Sequence, residues 1–178
     1  AWQRQGTYIT AALARAGDPH VSRVLSQYLA THDFGGGAGP EADAPGLADA
    51  DAAGLPLLPG LVRFDEAMRG PIRHALRVTV RSTNGYVWPA SHRAGSTSGA
   101  LPMGARLRLK ASVDVSRYPA YIQNIFRGMQ THGLIVADNG SDMYITGAMD
   151  PRWNNDELNP AFRGLAARDF DVVQLGWR

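Results

Sequence analysis

Between Asp138 and Asp142 the sequence reads Asp-Asn-Gly-Ser-Asp, gathering two carboxylates, an amide and a hydroxyl into one short stretch. Oxygen-rich sets of this kind bind sugar hydroxyls through paired acceptors, and Asp138 with Asp142 can also hold a divalent cation. Asp, Asn and Gly are equally the favoured residues of a tight turn, so the same letters describe a hairpin connection with no ligand at all. EF-hand spacing is absent. Further along, Trp153 stands among Arg152, Asn154, Asn155 and Asp156. A tryptophan beside polar groups offers a flat apolar platform to a sugar ring, with hydroxyl-binding side chains next to it. Trp88 and Tyr144 are further platforms. The candidate ligand-binding set is therefore Asn139, Ser141, Asp142, Trp153, Asn154 and Asp156, together with Arg77, Arg106 and Arg108 of the basic strands below.

For proton transfer the candidates are His74 and His92, paired with Asp138 or Asp150 as carboxylate. Neither histidine stands at a recognised metal-ligand spacing, and a hydrogen-bonded structural histidine is the plain alternative. Ser91, Ser96 and Ser98 lie close to His92 in the chain, but no GxSxG elbow presents any of them as a nucleophile. No established catalytic motif occurs, and the residues leave open whether the chain is an enzyme. Arg77 and Arg81 on one predicted strand, with Arg106, Arg108 and Lys110 on another, form a basic face if the two strands pair. Guanidinium groups grip carboxylates and phosphates bidentately, so such a face suits an acidic polysaccharide; a solvated outer sheet face is the alternative.

The elements that must position these residues follow from composition and periodicity. The chain has 178 residues, a formal charge of +2 and no cysteine. That length supports one substantial core, and the lack of cysteine excludes disulfides and thiolate chemistry. No apolar run reaches the roughly 18 residues of a membrane span, and the near-balanced charge gives no indication of nucleic-acid binding. The start of the chain lacks the basic and apolar pattern of a signal peptide.

Hydrophobic spacing predicts a helical hairpin over 1–33, then a linker rich in Gly, Ala, Pro and Asp over 34–53, with a β-rich domain over 54–178. Gly35-Gly36-Gly37 lacks the lysine and hydroxyl of a phosphate loop and reads as linker. Leu76, Val78 and Val80 alternate with Arg77, Thr79 and Arg81 in a strand over 74–81. Tyr86 to Trp88 reads as a short strand, and 105–111 as another. Ile122, Ile125, Phe126 and Met129 recur at helical spacing and Gly133 stops the helix. The residues after it read as strand, tight turn at 138–142, and strand. Asn159 to Ala167 is an expected short helix, and Asp169 to Leu175 a closing strand.

Six blocks carry a resemblance: GLPLLPGLVRFDE, GPIRHALRVTV, YVWPASH, MGARLRLKASVDVS, HGLIVADNGSDMYITGAMDPRWNNDEL and DFDVVQLGW. In this order they resemble a family of uncharacterised, mostly secreted bacterial proteins, sometimes found beside carbohydrate-active modules. The resemblance covers roughly Ala48 to Trp177 and implies an extracytoplasmic β-rich domain, with no reaction attached. In that family the preceding segment supplies further strands. Here residues 1–47, through HDFGGGAGPEADAPGLA, are instead similar to a segment of a helical-toroid sugar-processing enzyme. Together these readings give an α+β chain, mainly antiparallel with one long helix and an N-terminal helical hairpin. The expected function is secreted glycan binding. A glycan hydrolase or lyase with a carboxylate and histidine pair, and a structural interaction module, are the alternatives.

Overall fold

The computed structural model describes residues 51–55 and 57–173, which belong to the unit running from Ala50 to Arg178. The expected helical hairpin, most of the expected linker and the last residues of the closing strand lie outside the described residues.

The organising element is the helix Ala120–Thr131, whose sequence dictates its placement. In order, the described residues form α1 (Phe64–Arg69), β1 (Leu76–Val80), β2 (Arg106–Leu109), α2 (Ala120–Thr131), β3 (Leu134–Asn139), β4 (Tyr144–Ile145), α3 (Asn155–Arg163) and β5 (Phe170–Val173). Single 3-10 turns occur at Leu58–Gly60 and Ala167–Asp169. Along α2 the stripe Ile122, Ile125, Phe126 and Met129 is almost fully buried, as its spacing requires. The helix ends where Gly133 takes a positive φ of 78° and its N–H returns to the Gly128 carbonyl. A Cβ there would come within 2.3 Å of the Leu107 carbonyl oxygen, so both the left-handed turn and the close strand demand glycine.

The sheet is mixed, in the order β4-β1-β3-β2-β5. β1 and β3 run parallel at its centre, and the other three pairings are antiparallel. This fold is α+β, as expected, and it corrects the expected hairpin: β3 and β4 do not pair, because β1 lies between them. Leu76, Val78 and Val80 of β1, Leu134 and Val136 of β3, and Leu107 and Leu109 of β2 join the α2 stripe in one core. Phe126 is its aromatic centre, meeting Tyr118 and Phe162 edge-on at 5.0 and 5.3 Å between ring centroids. The latter contact ties α3 to α2.

Two expected boundaries move. The helix expected from Asn159 begins earlier at Asn155, because Asn154 is the residue whose side chain accepts the Asp156 N–H at 3.1 Å. The domain also begins before Gly54: Ala53 is fully buried, its N–H donates to the Ala137 carbonyl, and Asp51 is sealed against β1. Within the described residues, Tyr86 forms only an isolated bridge to Met103 in place of the expected short strand.

β3 contains one irregularity with consequences for chemistry. Val78 stands opposite Val136, but Thr79 stands opposite Asp138, so Ala137 is an extra residue on β3. Side chains alternate between faces along a strand. Without that insertion Asp138 would fall in line with Val80, on the core side; with it, Asp138 joins Arg77 and Thr79 on the other face.

Replacing Phe126 by alanine should lower stability by about 3–5 kcal/mol, the usual cost of emptying a buried aromatic site. Urea unfolding of Phe126→Ala should show an earlier midpoint with an unchanged slope; an unchanged midpoint would contradict this account of the core.

Candidate functional site

On the face of the sheet away from α2, β1 presents a buried arginine where an apolar residue would be expected. Arg77 is 6% exposed. Asp51 and Gly60 lie against it, and the Gly60 backbone passes so close that a Cβ would sit 3.1 Å from that of Arg77. Burying an unpaired charge costs several kcal/mol, so the guanidinium must be compensated. Asp51 does this from a side chain only 2% exposed, with Oδ2 at 3.4 Å from Arg77 Nε. Thr146, next to β4 and also buried, accepts from Nη1 at 2.7 Å. Asp138, brought over by the irregularity in β3, faces Nη2 with Oδ2 at 3.8 Å and is 42% exposed.

Asp51 also organises its own loop. Its Oδ1 accepts from the N–H groups of Ala53 and Leu55, both at 3.0 Å, and the Gly54 N–H closes a turn onto the Asp51 carbonyl. Burial pushes the Asp51 carboxyl above its usual range; those backbone donors and Arg77 pull the other way. Onto this loop the segment Ser91-His92 docks, both N–H groups donating to the Ala53 carbonyl. Gly54 has φ 76°, and a Cβ there would meet both His92 Nδ1 and Ser91 Oγ at 2.2 Å. Only glycine lets the two side chains lie over it. They are exposed and bonded to each other, Oγ to Nδ1, at 2.7 Å.

The same end of the sheet carries the loop from β1 to β2. It is pinned by the Asn139 amide donating to the Ala94 carbonyl at 2.9 Å and by the Gly104 N–H on the Val136 carbonyl. Asn139 Oδ1 and Thr83 Oγ1 are buried there without a partner, polar atoms of the sort that hold a water. Tyr86 and Trp88 project from this loop at 53% and 61% exposure, and Tyr144, paired with Thr79 and hence in one row with Asp138, is 65% exposed.

The sequence candidates thus separate. Asp138, Asn139 and His92 come together at this end, with Trp88 and Tyr144. His74 does not: it precedes β1, about five residues or roughly 16 Å of strand from the row of Asp138. Its Nε2 meets Glu66 at 3.1 Å and its Nδ1 the Ala75 carbonyl oxygen at 2.9 Å, a structural engagement. Asp142 binds Arg81, carboxylate to guanidinium at 2.9 Å and Oδ1 to the Arg81 N–H at 2.8 Å, while Ser141 is exposed. Among the described residues no cluster of three or more His, Asp and Glu side chains is arranged to hold a metal ion.

The expected basic face is corrected. β3 separates β1 from β2, so Arg77 and Arg106 stand with Ile135 between them, roughly 10 Å apart across the strands. Arg77 is buried, Arg106 is half-buried with Nη1 on the His132 carbonyl at 3.0 Å, and Arg108 alone of the three is exposed. Burial draws the Arg106 guanidinium below its usual value.

The tryptophan stretch is also built differently from expectation. Trp153 packs edge-on to Phe64 at 5.0 Å and donates from Nε1 to the Ala148 carbonyl at 2.9 Å, so its ring is a wedge against the core rather than an open platform. Asn154 caps α3, and Asp156 occupies the first turn. Asp150 is clamped by Arg152 at 2.6 Å, which holds its carboxyl down to about 2. Arg152 also reaches Asp65 at 3.0 Å and lies over the Phe64 ring.

Elsewhere, at the opposite end of the sheet, an open groove of about 390 Å³ is lined by Ser112, Asp114, Arg117, Gly164, Arg168 and Asp169. Its two carboxylates already serve the backbone: Asp114 accepts from Ser116 N–H and Asp169 from Ala166 N–H. The chain matches no family model, no curated protein and no solved structure.

Two outcomes follow from these pairings. Asp51→Ala leaves Arg77 buried without its closest counter-charge and should destabilise by about 3–5 kcal/mol, measured by denaturant unfolding. For Asp150, whose folded value lies below the unfolded one, the contribution to stability is present above pH 4 or so and is lost as pH falls toward about 2. The stability gap between the native protein and Asp150→Asn should therefore be small but measurable at pH 7, because the pair is solvated, and should close in that acid window.

Proposed function

We propose that this domain binds a glycan at the end of the sheet where β3 delivers Asp138 and Asn139. The observation that carries the reading is the exposure of Tyr86, Trp88 and Tyr144, each more than half open to solvent, around that polar end. Aromatic faces take the apolar face of a sugar ring, while carboxylate, amide, hydroxyl and imidazole groups such as Asp138, Asn139, Ser91 and His92 meet its hydroxyls. The resemblance to uncharacterised, mostly secreted bacterial proteins that are sometimes found beside carbohydrate-active modules points the same way. On this reading the protein works outside the cytoplasm on polysaccharide.

Hydrolysis or lysis of the glycan is the second reading, favoured by His92, an exposed imidazole at the same end as Asp138. Against it stands the arrangement of acids. Glycosidases commonly need a pair of reachable carboxylates, whereas Asp51 is sealed under its loop and Asp142 is engaged by Arg81.

Affinity electrophoresis on a panel of insoluble and soluble polysaccharides tests the proposal. At least one should retard the protein, Trp88→Ala should weaken retention about tenfold or more, and Trp153→Ala should act through lost stability instead. Retardation by none of the panel sinks the proposal, and release of reducing ends with its loss in His92→Ala would replace binding by catalysis.

A further inference from the structure

We infer that Arg77 and Asp138 together form the hydroxyl-gripping floor of this site and that they select a neutral sugar over an acidic one. The inference rests on the glycan-binding reading and specifies which class of glycan the site takes.

The argument starts from an incomplete set of bonds around a buried guanidinium. Arg77 uses Nη1 on Thr146 and Nε toward Asp51, but Nη2 makes no hydrogen bond; the carboxylate oxygen it faces, Asp138 Oδ2, is 3.8 Å away. Hydrogen bonds of this type close at about 2.7–3.2 Å, so the pair is held just apart. On the other side, Asp138 Oδ1 takes the Asn139 N–H at 2.8 Å, and Oδ2 receives no hydrogen bond. A donor and an acceptor, each without a hydrogen bond, thus face each other across a gap, one on a residue 6% exposed and the other on a side chain 42% exposed.

A hydroxyl oxygen fits that gap chemically and geometrically. It accepts from Nη2 and donates to Oδ2, and an oxygen about 2.8 Å from both atoms closes a triangle on the 3.8 Å base. A carboxylate or sulfate does not fit, because it can only accept and would confront Asp138 directly. The local charge agrees: one arginine stands against Asp51 and Asp138, leaving the cluster one negative charge in excess. An acidic polysaccharide is repelled where a neutral polyol is held by charge-assisted bonds. Thr79, next to Asp138 in the row that leads to Tyr144, places the gap beside an exposed ring, so one sugar can be stacked and gripped at once.

Calorimetric titration of the full chain with cellohexaose, xylohexaose, mannohexaose and chitohexaose, and separately with hexagalacturonate, tests the inference. One or more of the neutral probes should bind, hexagalacturonate should bind at least tenfold more weakly, and Asp138→Ala should weaken the neutral probe tenfold or more at an unchanged melting temperature. Binding in Asp138→Ala equal to that of the unaltered protein, with loss in Trp88→Ala, overturns the inference while leaving the aromatic surface as the binding site. Preference for hexagalacturonate overturns it as well. Should no probe bind the unaltered protein, the glycan reading itself falls and takes this inference with it. If Asp138→Ala does not fold, singly deoxygenated versions of the bound sugar read the same contact from the ligand side; one should lose tenfold or more, and uniform affinity across them refutes the grip.

Discussion

A guanidinium cannot be left alone in an apolar interior, and much of the candidate site can be understood as the answer to that constraint at Arg77. Its counter-charge comes from Asp51, which lies 26 residues earlier in the chain, and its hydroxyl partner from Thr146, 69 residues later. To reach Arg77, Asp51 must fold its own loop back over the sheet, and the same carboxylate that pairs with the arginine caps that loop through Ala53 and Leu55. The loop then supplies the carbonyl on which Ser91 and His92 dock. One buried ion pair therefore connects the sheet, the covering segment and the long β1 to β2 connection. Buried pairs of this type add little net stability against an apolar replacement. What this one does is fix positions.

The division of the sheet into two unlike faces explains why these parts can coexist. The face against α2 is uniformly apolar and closed around Phe126. The opposite face is only partly covered, and its polar residues are arranged in rows set by strand register: Thr146 beside Arg77 on one side, Tyr144, Thr79 and Asp138 across the next. Rigid strands hold these side chains, while the exposed aromatic rings Tyr86 and Trp88 come from the loop. A stiff polar floor with adaptable walls suits a ligand that varies in length while repeating the same hydroxyl pattern.

Local periodicity made much of the fold legible. The α2 stripe, its glycine stop, β1 and the short β2 follow from spacing alone, because each buries one face and the burial enforces the period. Topology did not follow. Asp138 to Asp142 has the letters of a hairpin turn, and nothing local says that β1, far earlier in the chain, will insert between the strands on either side. Asn159-Pro160 looks like a cap and a first helical turn, yet Asn154 won because its side chain reaches the Asp156 N–H. Part of the candidate site is legible from residue type alone: Asp138, Asn139, His92, Trp88 and Tyr144. Asp51 was hidden in a stretch of small residues, although Asp-Ala-Ala-Gly carries the signature of a turn with Asp first and Gly fourth. Arg77 is buried, yet an arginine alternating with valines reads as solvent-facing unless its distant partners are known.

The extra residue in β3 sets the limits within which this domain can vary. Length changes in the connection from Arg81 to Ala105 alter only the wall of the site, and an exposed loop absorbs them cheaply. A residue added to β1 after Val78 is another matter, because it would pair with Ala137, restore regular alternation and turn both Thr79 and Asp138 to the core side, away from Arg77. The protein's tolerance of added residues should thus be sharply uneven, permissive around the rim and closed within the central pair of strands.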